Sequence, residues 1–290
     1  MNILLLGSNG QLGWELHRAV STLGPIIALH YPKIDLSQPE SLRELLRGLP
    51  QKPHVILNAT AYTAVDRAET ESDLAYAINT HAVRVLAQEA NAIGAAIVHY
   101  STDYVFDGEK GSPYTETDRV NPLNVYGASK LTGEEFIADI AAAYIIFRTA
   151  WVYSNRRESF VGKTLQWARN NRILRIVDDQ TSNPTWARAL AEITAQILAR
   201  GGNDIHGYLR QQRGLYHLAG SGYATRYEWA AEILRLGMTH DTPELQPAKT
   251  ADFPSPARRP TFSALDCSKF ENTFGLRLPN WRDALALAMG

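Results

Sequence analysis

Three observations predict an α/β protein built on a doubly wound, parallel sheet. Short apolar runs alternate with helix-like stretches from the N-terminus to about residue 150. The first run, residues 2–6, leads into Gly7-Ser8-Asn9-Gly10-Gln11-Leu12-Gly13 and then into a helical pattern at 14–23. Later runs end in polar residues, Asn58-Ala59-Thr60 and Ser101-Thr102-Asp103, as expected where strands open onto a ligand at the carboxyl edge of a sheet.

The glycine loop comes first. Its three glycines, each separated from the next by two residues, allow a sharp turn and let backbone N–H groups approach a pyrophosphate at the helix N-terminus. Its place directly after a strand favours a dinucleotide loop over an incidental turn. Residues 25–31 form a second strand. A strict NAD site has Asp or Glu at the end of this strand to meet the ribose hydroxyls. Here His30 and Tyr31 stand there, with Lys33 close by and Asp35 a little later, which permits NADP. Asp35 has two readings, a ribose contact or the N-cap of a short turn before a helix at 39–49.

A third strand at 55–57 runs into Asn58-Ala59-Thr60, so Ala61, Tyr62 and Thr63 are expected along the cleft. Tyr62 reads equally as a packing aromatic. One long helix is expected from Asp66 to about Ile93, capped by Gly94, and then a strand at 95–100. Residues 104–121 are loop-rich. A helix then carries Tyr126, and a strand at 144–147 exits through Arg148-Thr149-Ala150-Trp151-Val152-Tyr153.

Beyond this point the alternation loosens. Helices are expected at 160–171, 187–200, 227–236 and Trp281–Met289, the last with Asn280 as N-cap, and short strands at Ile173–Val177 and 214–218. Residues 239–260 are proline-rich and irregular. The expected organisation is a dinucleotide-binding unit at 1–150, rejoined by about 187–222. Residues 151–186 and 223–290 would form a smaller, partly discontinuous α/β region that caps the cleft and binds substrate. No internal repeat or low-complexity tract interrupts the chain.

Composition sets the outer limits. The 290 residues are 45% apolar and 20% charged, enough for one large domain or two and ordinary for a globular protein. A formal net charge of −1 gives no electrostatic case for nucleic acid or an anionic membrane as partner. The single cysteine, Cys267, excludes an internal disulfide framework and suits a reducing compartment, so a cytoplasmic location is expected. No apolar run reaches the length of a membrane span, and the first residues read as a strand rather than a signal peptide.

The chemistry centres on Tyr126-Gly127-Ala128-Ser129-Lys130. On a helix, residues four apart share one face, so the phenol and the ammonium lie one above the other. A cation beside a phenol favours the phenolate and draws its pKa down, which suits proton transfer near neutral pH.

The glycine loop, Thr102 after its strand, and the Tyr126–Lys130 pair together resemble the extended short-chain dehydrogenase/reductases, whose sheet is Rossmann-like. Longer strings narrow the resemblance to the dTDP-4-dehydrorhamnose reductases. They are Asn58-Ala59-Thr60-Ala61-Tyr62-Thr63-Ala64-Val65-Asp66, His99-Tyr100-Ser101-Thr102-Asp103-Tyr104-Val105-Phe106, Pro122-Leu123-Asn124-Val125-Tyr126-Gly127, the Arg148–Tyr153 exit and Pro256-Ala257-Arg258-Arg259-Pro260.

This resemblance implies reduction of the C4 ketone of a dTDP-linked 4-keto-6-deoxyhexose by NADPH or NADH. It makes Tyr126 the proton donor, Lys130 the group that holds a nicotinamide ribose hydroxyl and tunes the phenol, and Thr102 the hydrogen-bond partner of the ketone oxygen. It puts Gly10, Gln11 and Leu12 at the pyrophosphate in a loop shaped by Gly7 and Gly13. Asp35 and Leu36 fall by the adenosine, and Ala61, Tyr62, Thr63 and Tyr100 along the cofactor. Thr102, Asp103 and Trp151 fall at the sugar nucleotide, although Trp151 also reads as a core aromatic. Arg258 and Arg259, set between prolines, suit its diphosphate, with one of the two facing it.

Some members of that family form dimers bridged by Mg2+ on glutamates. Glu15 is a candidate ligand, but Arg188 stands where a second acid is expected, which argues against a metal bridge. Glu15 also reads as a complement to the helix dipole. A monomer and a homodimer both fit. Two other readings stand beside the reductase. One is a nucleotide-sugar epimerase or dehydratase, although Tyr104 rather than Glu follows Asp103. The other is a non-catalytic subunit similar to the regulatory subunit of methionine adenosyltransferase.

Overall fold

A computed structural model describes all residues, Met1 to Gly290. Five parallel strands in chain order are β1 (Ile3–Leu6), β2 (Ile26–Leu29), β3 (Val55–Asn58), β4 (Ala96–Thr102) and β5 (Tyr144–Thr149). A sixth, Gly214–His217, returns from late in the chain and pairs parallel with β5. Across the sheet the order is Gly214–His217, β5, β4, β3, β1, β2. The chain leaves β1 for β2 on one side and then crosses to β3 on the other. The strand order therefore reverses between β1 and β3, and that is where an open parallel sheet leaves a crevice at its carboxyl edge.

These strands are short, continuous apolar runs because both faces are covered. The two-residue period divides them cleanly. Ile3, Leu5, Val55, Leu57, Val98, Ile145 and Phe147 pack against Leu16 of α1 (Gln11–Ala19) and against Leu190, Ile193 and Ile197 of the helix Ala187–Gly201. Leu4, Leu6, Ile56, Ile97 and Ile146 pack on the other face against Leu42 and Leu46 of α2 (Pro39–Arg47), Val83 and Leu86 of the helix Ala82–Ile93, and Ile137 of the helix Val125–Ile140. Phe270 and Phe274, far along the chain, complete the first of these cores.

The rest of the chain builds a second lobe over the carboxyl edge. Its centre is aromatic: Tyr153, Trp229 and Trp281 are buried there with Val161 and Ile233. Asn280 caps the helix Trp281–Met289 by accepting from the Arg282 N–H. Thr225 and Glu228 form a reciprocal capping box on the helix Arg226–Gly237.

Three features depart from the expectations. The single helix expected from Asp66 is broken into Val65–Ala68 and Ser72–Tyr76, followed by a π-helical turn at Ala77–His81 and the regular helix Ala82–Ile93. At that turn the Asn79 side chain accepts from the Tyr62 N–H and donates to the Ser129 hydroxyl, so tertiary hydrogen bonds override helical periodicity. Within the irregular stretch 239–260, Glu244–Ala248 is a strand, paired parallel with Ile173–Val177. Pro247 lies inside it, which is tolerated because this is an edge. Helices at Ile205–Gln211 and Ser268–Phe274 are additions to the expected set. No helix is long and apolar enough to cross a membrane.

Candidate active site

The crevice at the β1–β3 reversal opens into a cleft of about 980 Å3 that runs between the sheet edge and the second lobe. One end is the glycine loop. Gly7 has φ +83°, and a Cβ on it would meet the Ala59 carbonyl oxygen at 2.7 Å. A Cβ on Gly13 would stand 1.9 Å from the Gly7 carbonyl oxygen, so α1 can approach β1 only without a side chain there. Gly10 is the N-cap of α1 and no side chain caps that end. The first-turn N–H groups therefore remain available to an anion. Gly7, Gly10, Gln11 and Leu12 line the cleft, and Gly13 supports them from behind.

Beyond β2 the cleft is walled by His30, Tyr31, Ile34, Asp35 and Leu36. The Asp35 carboxylate accepts from both the N–H and the hydroxyl of Ser37, at 2.9 and 2.6 Å. It thus stabilises its own turn, as the capping alternative requires. His30 Nδ1 lies 2.9 Å from the Ser8 hydroxyl, joining the end of β2 to the glycine loop. Ala61 and Thr63 lie along the wall. Tyr62 is turned away, with its phenol donating to Glu71.

The polar ends of β4 and of the Tyr126 helix meet at the centre. Thr102, Asp103, Tyr126 and Lys130 all line the cleft beside Tyr100. Asn124 caps this helix by accepting from the Gly127 N–H, which fixes where Tyr126 begins. Enclosure by protein pushes the Tyr126 phenol above its ordinary pKa, and the nearby Thr102 hydroxyl opposes the rise. The Thr102 hydroxyl also accepts from the Tyr104 N–H at 3.1 Å.

Lys130 is 1% exposed. Burial draws its amine down to about 8, against the pull of Glu134. Its nitrogen donates to the Tyr100 carbonyl at 2.6 Å and lies 3.1 Å from His99 Nε2. Sequence spacing alone predicts a phenol drawn down by its lysine. In the folded chain the phenol moves up instead, because desolvation dominates and the amine is engaged on the sheet.

Asp103 is buried and joins the two lobes. Its carboxylate accepts from the hydroxyls of Ser182 and Ser263, at 2.9 and 2.5 Å. Trp151 lines the cleft with φ +42°, a left-handed conformation unusual for a large side chain. Its ring stacks on Trp229, with centroids 5.5 Å apart.

Arg258 and Arg259 do not reach the cleft wall. Arg258 is exposed, and Arg259 pairs with Asp66 at 2.7 Å. Glu15 lies outside the cleft and is held by Arg18 at 3.1 Å, and Arg18 and Arg188 both pair with Glu192. No group of three His, Cys, Asp or Glu residues is arranged to hold a metal ion.

Several wall residues are not singled out by sequence reasoning. Arg157 and Glu158 come from the polar turn after Tyr153, and Ser101 and Thr149 from the sheet edge. The carboxyl-edge rule already covers Ser101 and Thr149, and it reaches Arg157 and Glu158 once Val152–Tyr153 is recognised as a strand. Arg226, stacked over Trp151, has no such signal because its position depends on the second lobe.

Comparison with known proteins agrees with this geometry. The family described as RmlD substrate binding domain matches residues 1–289. The dTDP-4-dehydrorhamnose reductase of Escherichia coli (strain K12) is 41% identical over 290 residues, covering 97% of this chain and 95% of its own. A crystal structure of a dTDP-4-dehydrorhamnose reductase from Clostridium acetobutylicum superposes with a TM-score of 0.91 at 34% identity, over 100% of this chain and 98% of that one. The Bacillus anthracis dTDP-4-dehydrorhamnose reductase, solved in complex with NADP, gives 0.89 at 29% identity, over 99% and 98%. With its full length matched and its cleft at the expected sheet edge, the chain belongs to the dTDP-4-dehydrorhamnose reductase family and is an enzyme of the oxidoreductase class.

Proposed function

We propose that this protein reduces the C4 ketone of dTDP-4-dehydro-6-deoxy-L-mannose to give dTDP-L-rhamnose, with Tyr126 as proton donor. The observation that carries the reading is that Thr102, Tyr126 and Lys130, the last two one helical turn apart, line the same cleft as the glycine loop. The name of its relatives and the NADP in the Bacillus anthracis structure supply the substrate and cofactor classes.

The glycine loop fits a dinucleotide. It is a cradle that a Cβ at Gly7 or Gly13 would fill, beneath an uncapped helix N-terminus. NADPH or NADH, when bound, supplies the hydride. Gly10, Gln11 and Leu12 meet the pyrophosphate, Leu36 and Asp35 flank the adenosine, and Lys130 reaches a nicotinamide ribose hydroxyl. Thr102 donates to the ketone oxygen and orients it. As the hydride arrives, that oxygen gains negative charge and Tyr126 delivers its proton to it. Lys130, when charged, favours the phenolate left behind. Each hydroxyl aimed at the developing oxyanion contributes about 3 kcal/mol.

In this reading residues 1–150 with 187–222 hold the cofactor, and 151–186 with 223–290 hold the sugar nucleotide in the cytoplasm of the producing cell. The test is NADPH and NADH oxidation followed optically with the dTDP-4-keto sugar. Turnover is expected with that substrate and should fall about 100-fold or more in Tyr126→Phe, with cofactor affinity kept. Undiminished turnover in Tyr126→Phe overturns the assignment of the acid. Co-purification with a synthetase, without turnover, would favour the non-catalytic reading.

A further inference from the structure

The end of β2 carries an imidazole where a dinucleotide fold that selects NAD carries a carboxylate. The last register pair between β1 and β2 is Leu6 with Leu29. Just beyond it the N–H groups of Gly7 and Ser8 both donate to the Leu29 carbonyl, at 2.8 and 3.2 Å, so the glycine loop starts against the end of β2. His30 is the next residue. It is half-buried and lines the same cleft as Gly10 and Gln11.

The ring is anchored on one side only. Its Nδ1 lies 2.9 Å from the hydroxyl of Ser8, a side chain of the glycine loop that is itself 8% exposed. No protein group bonds to its Nε2. A serine hydroxyl donates and accepts, so this anchor holds the neutral ring and the imidazolium alike. When the hydroxyl donates to Nδ1, or when both ring nitrogens are protonated, Nε2–H is a donor without a protein partner. No form of the ring does what a carboxylate does at this place, which is to accept from ribose hydroxyls and repel an anion.

The other charges at this corner leave room for an anion. Lys33 is exposed three residues on. Asp35 is the only acid among residues 30–36, and its Oδ1 is tied to its own turn by the N–H and hydroxyl of Ser37. A phosphomonoester brings close to two negative charges and three acceptor oxygens, which an imidazole N–H meets with a charge-assisted hydrogen bond.

We infer that His30, positioned by Ser8, reads the 2′ position of the adenosine ribose and selects a cofactor with a 2′-phosphate, so that this protein prefers NADPH to NADH. The inference rests on the dinucleotide reading of the cleft and adds to it the residue that discriminates.

The test is equilibrium binding to the full chain. Nicotinamide fluorescence follows NADPH and NADH. Calorimetry follows 2′,5′-ADP and 5′-AMP, fragments that lack the nicotinamide. The wild type should bind NADPH at least about tenfold more tightly than NADH, and 2′,5′-ADP more tightly than 5′-AMP by a similar factor. Raising the salt concentration should shrink both ratios. In His30→Asp the preference should reverse, with NADPH weakened at least about tenfold and NADH kept or improved. His30→Gln keeps an amide donor without a charge and should fall between the two.

Equal wild-type affinities for the phosphorylated and unphosphorylated ligands overturn the inference, whatever the variants do. A preference that survives intact in His30→Asp also overturns it, as does one that survives intact in His30→Gln should the aspartate variant fail to fold. Loss of the preference in Lys33→Ala or Asp35→Asn, with the His30 variants unchanged, moves the role to that residue and overturns it too. If none of the four ligands binds, the cofactor reading of the cleft falls together with this inference. If the preference follows His30 as stated and no dTDP-4-keto sugar is reduced, the reductase reading fails and this one stands.

Discussion

The guanidinium carbon of Arg226 sits 3.6 Å from the centroid of the Trp151 ring, nearly in van der Waals contact with its face. The same cation lies 4.9 Å from the ring of Phe160 and 5.5 Å from that of Trp229. Burial draws it down to about 10, so it stays charged at neutral pH, with Tyr104 and Asp103 favouring the charge. Trp151 bears a strained backbone at the cleft, and this stack holds its ring in place. Arg226→Leu should therefore weaken binding of the sugar nucleotide about thirtyfold, since a desolvated cation–π contact contributes about 2 kcal/mol. Cofactor binding should not change. Steady-state kinetics at saturating NADPH, with a separate cofactor titration, measures both quantities. An equal loss for the two ligands would mean that Arg226 supports the whole cleft rather than Trp151.

Gly13→Ala tests the cofactor cradle from behind. The added Cβ would come within 1.9 Å of the Gly7 carbonyl oxygen, which is backbone and cannot rotate away. Either α1 lifts from β1 or the loop carrying Gly7 moves. Both would displace the first-turn N–H groups from the place proposed for the pyrophosphate. NADPH affinity should fall at least about tenfold and the melting temperature should drop with it. Fluorescence titration and a thermal melt of the same sample check the pair of effects, and a variant with wild-type affinity would remove the loop from the cofactor site.

Under the active centre, Glu134 and Arg148 form an ion pair with side chains 4% and 5% exposed. Arg148 Nε donates to both carboxylate oxygens, at 3.0 and 3.1 Å, and Nη2 donates to one at 2.7 Å. Glu134→Gln leaves a buried guanidinium without its counter-charge and should cost about 3–5 kcal/mol of stability. Removing both charges in Glu134→Leu with Arg148→Met should recover most of that loss. Denaturant titration of the wild type and the two variants decides. A double variant as unstable as the single one would show that the pair's geometry, rather than its charge balance, is what the fold requires.

How much of this was legible beforehand follows from how local each signal is. The strands of the main sheet are buried on both faces, so Ile3–Leu6, Val55–Asn58 and Tyr144–Thr149 announce themselves as apolar runs with polar exits. The glycine loop and the Tyr126–Lys130 spacing are equally local. The break in the helix after Asp66 is not, because Asn79 leaves the helical pattern to bond with Tyr62 and Ser129, residues 17 and 50 positions away. Glu244–Ala248 was hidden by Pro247, a residue that a strand accepts only at an edge. At the site, Arg226 reaches Trp151 and His99 reaches Lys130 only through the tertiary fold. The pKa of Tyr126 was the least legible quantity. Spacing gives the sign of the lysine's influence, whereas enclosure by the folded cleft decides the net direction.

His217 governs part of the response to acid. It is wholly buried at the end of the edge strand, with Nδ1–H donating to the Tyr114 carbonyl at 2.9 Å and Nε2 lacking a partner. Burial and the nearby Arg148 push its pKa down from 6.5 to about 3. Between those values the unfolded chain binds a proton that the folded chain refuses, so stability falls as the pH is lowered through this window and is fully present above it. The loss from this one residue is on the order of a few kcal/mol at the acid end. His99, also held below its ordinary value, adds to the slope with the same sign. His217→Asn keeps an amide donor near the Nδ1 position and has no titration in this range. The variant should be somewhat less stable than wild type at neutral pH, yet lose less as acid is added, so the two stability curves converge towards about pH 3. Denaturant midpoints across the window measure this, and parallel curves would mean that His217 is already protonated in the folded state.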